Sequence, residues 1–248
     1  MPTCLVPLTN QLEYFGRRLT TNVEVPGNIH RPKFFKFWKV ELQAPEFVLK
    51  TLSEGYSLPF TSIPPPSFER NNKSAREDMV FVREEVKRLE ALGCIKKVEQ
   101  RPRCVLPLSS VFSKKKRLVV DGSRCLNPFL QHRRIFLQDH RIIPELVKPG
   151  SWMSTNDLDS GYWHIAINPA HWQFLGIHVE ETDGSTSFYV WVVMFLGISD
   201  AVFIFTTMLK PIRMYLATKC IPNCIYIDDL MTLGADAGVK INYPTPIW

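Results

Sequence analysis

The sequence predicts an α+β fold, and three observations carry that reading. Between Ser74 and Gly93, apolar Met79, Val82, Val86 and Leu89 recur at intervals of three and four, the stripe of an amphipathic helix. From Cys104 onward the pattern changes to short β-prone runs, "VLPLSSVFS" and "RLVVDGS", on either side of Lys114-Lys115-Lys116. Further on, β-formers at 189–193 give way to helix-favouring residues at 200–214, and "CIYIDDLMTLG" at 224–234 can fold back as a hairpin.

The elements follow in chain order. Residues 1–30 show no periodicity, and 31–60 mix aromatic and charged positions with Pro32, Pro45 and Pro59 as breakers. Ile63-Pro64-Pro65-Pro66 reads as a stiff extended linker, so 1–66 forms an N-terminal extension. Ser74-Ala75-Arg76-Glu77 fits a capping box, with Ser74 as N-cap and Glu77 reaching back. Gly93 can end that helix in the left-handed conformation. The β runs around Lys114–Lys116 predict two strands joined by a basic turn. A short helix fits 144–147, and "WMSTNDLDSGYWHIAI" offers a strand ending near Asp157.

The run 188–209, "FYVWVVMFLGISDAVFIFTTML", is long enough to span a bilayer. Asp200 near its middle costs about 2.5–3.5 kcal/mol on insertion scales. Gly197 also breaks it. A strand, a turn and a helix with Asp200 as N-cap is the preferred reading, so no membrane partner is expected.

Charge is unevenly spread. The chain carries a net +6, yet residues 101–141 alone hold ten Lys/Arg and only Asp121 and Asp139 as acids. A basic segment in an otherwise near-neutral chain suits a polyanion such as nucleic acid, or is simply a solvated face. The six cysteines form no Cys-x-x-Cys pair, and Cys220 and Cys224 lack nearby histidines, which argues against zinc. No basic-then-apolar leader opens the sequence. Free thiols in a reducing, intracellular compartment are expected, with cytoplasm and nucleus undecided.

Asp228 and Asp229 are adjacent inside an apolar run. They either join a hairpin as ordinary turn residues or hold a hard divalent cation at its tip. The second reading needs another carboxylate, and Asp157 in "STNDLDSGYWHI", followed by Asp159, is the candidate. Asp157 could instead cap a helix. An EF-hand loop fails, because Gly161 falls one place early and the twelfth position is Asn168.

Four stretches in order resemble reverse transcriptases. "YIDD" at 226–229 is similar to their Tyr-x-Asp-Asp signature, and "DLDSGYWHIAI" at 157–167 to their first metal-binding strand. "KKKRLVVDGSRCLN" at 114–127 resembles their fingers hairpin, and "FLGISDAVFIF" at 195–205 the stretch that usually reads Pro-Phe-Gly-Leu-x-x-Ala-Pro-x-x-Phe. "FWKVELQAPEFVLKTLSEGYSLPF" at 37–60 resembles the segment before the polymerase of DIRS-like retrotransposons, the tyrosine-recombinase group.

The resemblance implies a right-hand polymerase with fingers at 67–150 and a palm at 151–234. The palm would be an antiparallel sheet with packed helices. It implies an RNA-directed DNA polymerase, a nucleotidyltransferase using two Mg²⁺ (or Mn²⁺) ions, a primed RNA or DNA template and deoxynucleoside triphosphates. Asp157, Asp228 and Asp229 would be the catalytic metal ligands, joined by the Leu158 carbonyl. Arg117 and Lys116 would hold the triphosphate, with Lys114 and Lys115 as alternatives to Lys116. Tyr162 matches the aromatic gate beneath the sugar, or is a core tyrosine; Gly197 would lie in the nucleotide floor. Leu196-Gly197 and Ala201-Val202 depart from the pattern, which lacks its prolines here. The tail 235–248 matches nothing in the family, and the thumb is expected to be missing. The alternative expectation is an inactive or captured retroelement fragment that only binds nucleic acid.

Overall fold

The structure, a computed structural model, describes residues 32–234 except 136, 138, 139 and 159. The expected tail at 235–248, about half of the proposed N-terminal extension and Asp159 therefore lie outside the described residues. The fold is α+β, as expected.

The first two elements are helices, α1 (Pro32–Val40) and α2 (Glu46–Glu54). Two of the three prolines read as breakers in fact start them. Pro32 is the first residue of α1 and Pro45 is the N-cap of α2, where a missing N–H and a fixed φ cost nothing. Trp38, Val48 and Leu52 are buried in the main core, so this stretch is part of the fold. The Pro64-Pro65 stretch lies against a segment far along the chain: Arg103 Nε donates to the Pro64 carbonyl at 2.9 Å.

Next come β1 (Ser67–Phe68), α3 (Lys73–Glu77) and α4 (Met79–Ala91). The expected single helix is broken at Asp78, whose φ of −122° is not helical. Asp78 is drawn aside by Lys116 at 2.8 Å and by the Ser110 hydroxyl at 3.1 Å. The N-cap is Asn72 rather than Ser74, and the Ser74 hydroxyl instead accepts from the Ser110 amide at 3.2 Å. The C-terminus agrees with expectation. Gly93 has φ +72°, its N–H reaches the Glu90 carbonyl and the Cys94 N–H reaches Leu89, a Schellman closure. Val82, Val86 and Leu89 form the buried stripe.

The strands β2 (Ile95–Val98), β3 (Cys104–Val105), β4 (Leu108–Phe112) and β5 (Lys116–Val120) precede α5 (Ile143–Leu146) and β6 (Trp152–Asp157). Then come β7 (Gly176–Glu180), β8 (Thr186–Trp191), α6 (Ala201–Thr218), β9 (Asn223–Tyr226) and β10 (Asp229–Gly234). They form a mixed five-stranded sheet ordered β1-β3-β7-β8-β2, a three-stranded antiparallel sheet ordered β6-β10-β9, and the β4-β5 hairpin. The largest sheet is thus mixed, with β3 parallel to both β1 and β7.

The run 188–209 divides as expected into the end of β8, a loop and the start of α6. Among the described residues, no helix is long and apolar enough to cross a membrane. Asp200 occupies the N-cap position of α6 but makes no side-chain cap. It is buried, and it accepts a hydrogen bond from the Tyr56 hydroxyl instead. One core runs from Trp38 to Leu230, and α6 fills its centre with Ile204, Phe205, Met208 and Ile212. The described cysteines are free, and all but Cys220 are buried.

Candidate active site

The three-stranded sheet brings the aspartates to one end. In the β6–β10 pair Asp157 and Asp229 are Cα partners, and Asp229 is also the partner of Tyr226 across the β9–β10 hairpin. Ile227 and Asp228 are therefore the two loop residues of that hairpin. The Asp228 carbonyl accepts from the Leu158 amide at 3.1 Å, which ties the loop to the residue after Asp157. Asp157, Leu158, Asp228 and Asp229 thus meet through backbone pairing alone.

The loop is strained. Ile227 has φ +55°, a left-handed conformation in which a β-branched side chain crowds the backbone. Two-residue hairpins with positive φ at the first position normally place glycine, asparagine or aspartate there. Ile227 accepts about 1–3 kcal/mol of strain instead, and its side chain packs against the main core. That packing holds the loop and so fixes where Asp228 sits.

The electrostatics are equally one-sided. Asp157 and Asp229 are exposed and Asp228 is half-buried. Like charges directly opposite in a sheet destabilise it, and no ion pair among the described residues neutralises any of the three. Oxygen donors of this kind suit Mg²⁺ or Mn²⁺. Among the described residues, no three His, Cys, Asp or Glu side chains are gathered into a ready metal cage. The donor chemistry suits a divalent cation, but the described side chains do not converge on a common point.

Tyr162 lies in a short 3-10 segment, Gly161–His164, reached through a left-handed turn at Ser160. Its ring stacks on Phe205 of α6, with centroids 4.7 Å apart and planes at 27°. Gly161 makes that approach possible, since a Cβ there would come within 2.5 Å of the Phe205 ring. Burial raises the pKa of the Tyr162 hydroxyl, and the Asp228 charge raises it further. Tyr162 therefore feels the carboxylate cluster while resting on the core.

Gly197 belongs to a different junction. Its φ is +128°, and a Cβ there would collide with the Val120 carbonyl oxygen at the end of β5. Asn127 clasps the same segment: its Nδ2 donates to the Gly197 carbonyl and its Oδ1 accepts from the Ser199 amide, each at 2.9 Å. The glycine is required by this backbone contact, which joins the foot of the β4–β5 hairpin to the loop before α6.

The basic hairpin separates its cations. Lys116 is engaged with Asp78 at 2.8 Å and lies 5.6 Å from the Phe81 ring. That lysine holds the Asp78 carboxyl below the usual range. Arg117, paired with Val111 on the other face of the hairpin, is exposed and forms no ion pair among the described residues. Lys114 and Lys115 occupy the exposed connection between β4 and β5. Of the residues expected to contact phosphate, Arg117, Lys114 and Lys115 are exposed, and Lys116 already has a partner. Asp78 and Phe205 escaped the sequence reading. Asp78 looked like an ordinary helix residue, and Phe205 like any core aromatic.

No protein-family model matches this chain, and a comparison with curated proteins finds no match.

Proposed function

We propose that this chain is the fingers-and-palm region of an RNA-directed DNA polymerase of retrotransposon type. The observation that carries the reading is the pairing of Asp157 with Asp229, with Asp228 in the strained two-residue loop between Tyr226 and Asp229. Sequence-distant carboxylates at the end of one sheet, beside a half-buried tyrosine and with no ion pair among the described residues, suit the metal-assisted charge neutralisation that phosphoryl transfer needs. Asp157, Asp228, Asp229 and the Leu158 carbonyl would hold the divalent ions, which when bound neutralise phosphate charge and activate a primer 3′-hydroxyl. Arg117 would engage the triphosphate through its planar fork. Tyr162, fixed on Phe205, would close the sugar side against a 2′-hydroxyl. The Gly197–Asn127 clasp would keep hairpin and sheet in fixed register while nucleotide enters between them.

The second reading, nucleic-acid binding without synthesis, is supported by the exposed cations of the β4–β5 hairpin. One preparation decides between the two. An annealed RNA template with a DNA primer is titrated for binding across a salt series and then supplied with deoxynucleotides and Mg²⁺ or Mn²⁺. Primer extension that Asp228→Asn abolishes supports the polymerase. Salt-sensitive binding with no extension under either metal supports the binding-only reading. No binding at low salt removes both.

A further inference from the structure

A second site is built on the other side of the three-stranded sheet. Adjacent strand residues project to opposite faces. Tyr226 shares a face with Asp229 and Asp157, whereas Ile225, with its partner Leu230, faces the main core beneath α6. Beside Ile225, α6 together with Arg134, Ile135 and Leu137 frames a cavity of about 320 Å³.

The α6 wall is a single helical stripe: Phe203, Thr206, Thr207, Lys210 and Arg213. Arg134 contributes a third cation, and no acidic residue among the described residues lines the cavity. None of Arg134, Lys210 and Arg213 forms an ion pair among the described residues. Their neighbour Arg133 makes the contrast plain, for it lies 3.9 Å from Asp200 and 4.6 Å from the Phe203 ring centroid. Three uncompensated positive charges around one cavity repel one another, and an anion relieves that repulsion. Two of them are guanidinium groups, whose forked donors match phosphate oxygens.

The rest of the lining restricts which anion fits. The Thr206 hydroxyl donates to the Val202 and Phe203 carbonyls, and that of Thr207 to Phe203, at 2.7–3.1 Å. Their hydrogens are committed to the helix, so their oxygens are left as acceptors. A ligand meeting them must carry its own N–H or O–H donors. Phe203, Ile225 and their apolar neighbours ask for a flat apolar portion. The volume is at the small end of the roughly 300–1,000 Å³ typical of ligand pockets, too small for a duplex.

We propose that this cavity binds one nucleotide unit, either as a free nucleoside monophosphate or as one residue of a single strand. Phosphate meets Arg134, Lys210 and Arg213, and the base lies against the apolar wall and donates to the threonines. The site does not depend on the carboxylates or on any metal, so a failed primer extension leaves this binding result standing.

The test uses the full chain in EDTA, titrated calorimetrically with deoxyadenosine monophosphate, inorganic phosphate and a ten-residue oligothymidylate. Deoxyadenosine monophosphate is expected to bind more tightly than phosphate. Lys210→Gln and Arg213→Gln should each weaken it about tenfold, the loss of one charge-assisted contact. Lys210 is exposed, so its variant keeps the fold, which far-ultraviolet circular dichroism checks. Competition by the oligonucleotide assigns the site to a strand; no competition assigns it to the free nucleotide. No binding of the monophosphate, phosphate binding at least as tightly, or affinity unchanged in both variants overturns the proposal.

Discussion

Asp157 and Asp229 face each other as direct partners across the β6–β10 pair, the least favourable arrangement for two unneutralised carboxylates. In metal-free buffer, Asp229→Asn should therefore stabilise the protein, by about 0.2–1 kcal/mol. Adding Mg²⁺ or Mn²⁺ should reverse the ranking. A cation at a hundred times its Kd contributes about 2.7 kcal/mol to the protein that binds it. Thermal unfolding of both proteins with and without metal measures this. Equal metal responses in the parent, Asp229→Asn and Asp157→Asn would show that Asp157 and Asp229 hold no cation.

Tyr162 and Phe205 make a second testable pair. Tyr162→Phe keeps the stack of rings and should unfold close to the parent. Tyr162→Ala loses a stacked aromatic pair worth about 0.5–1.5 kcal/mol beyond its buried area. In primer extension, Tyr162→Ala should admit ribonucleotides more readily while Tyr162→Phe retains discrimination. The same ribonucleotide fraction in all three proteins would leave Tyr162 a core residue only.

Much of this arrangement was readable from local chemistry. The β4–β5 hairpin, the end of β6 at Asp157 and the β9–β10 hairpin all lie where β-formers and turn residues place them. Gly93 announced its helix end because only a left-handed residue closes that motif. What local pattern could not supply was long-range competition for a side chain. Asp78 breaks a periodic helix because Lys116, 38 positions away, draws its carboxylate. Asp200 stands at the helix start as expected but bonds Tyr56, 144 positions earlier, rather than its own backbone. Pro32 and Pro45 misled for the opposite reason: a proline opens a helix as readily as it ends one. The facing of Asp157 and Asp229 followed only from strand register, which no single stretch encodes.

The Tyr56–Asp200 contact joins the residues after α2 to the start of α6, and both groups are buried. Tyr56→Phe removes a donor from a buried carboxylate that Arg133 meets only at 3.9 Å. A loss of about 1–3 kcal/mol is expected. Replacing Asp200 as well, in Tyr56→Phe/Asp200→Leu, should cost less than the two single changes added together, because no buried acceptor is then left unpaired. Coupling of about 0.5–3 kcal/mol in a urea-unfolding cycle is the expected size for residues in contact. Strict additivity would mean that the contact carries no coupling.

His171 gives the fold a pH dependence of its own. Its Nδ1 accepts from the Leu58 amide at 2.9 Å, so the ring is held in a neutral, accepting form. Its edge contacts with Phe60, centroids 5.3 Å apart, and Phe174 keep it among apolar rings. Burial pulls its pKa down from 6.5 to about 4. Below pH 6.5 the unfolded chain takes up a proton that the folded protein refuses. Stability from this group is therefore complete above about pH 6.5 and falls as pH drops towards 4. A tenfold difference in proton affinity between the folded and unfolded chain is worth about 1.4 kcal/mol, so the whole effect is a few kcal/mol at most. His171→Gln removes the titration and keeps a side chain able to accept a hydrogen bond. Urea unfolding at pH 7.5, 6, 5 and 4.5 should show parent and variant diverging least at the lowest pH, with the parent losing stability faster on acidification. Parallel pH profiles for the two proteins would mean that His171 titrates alike in the folded and unfolded chain.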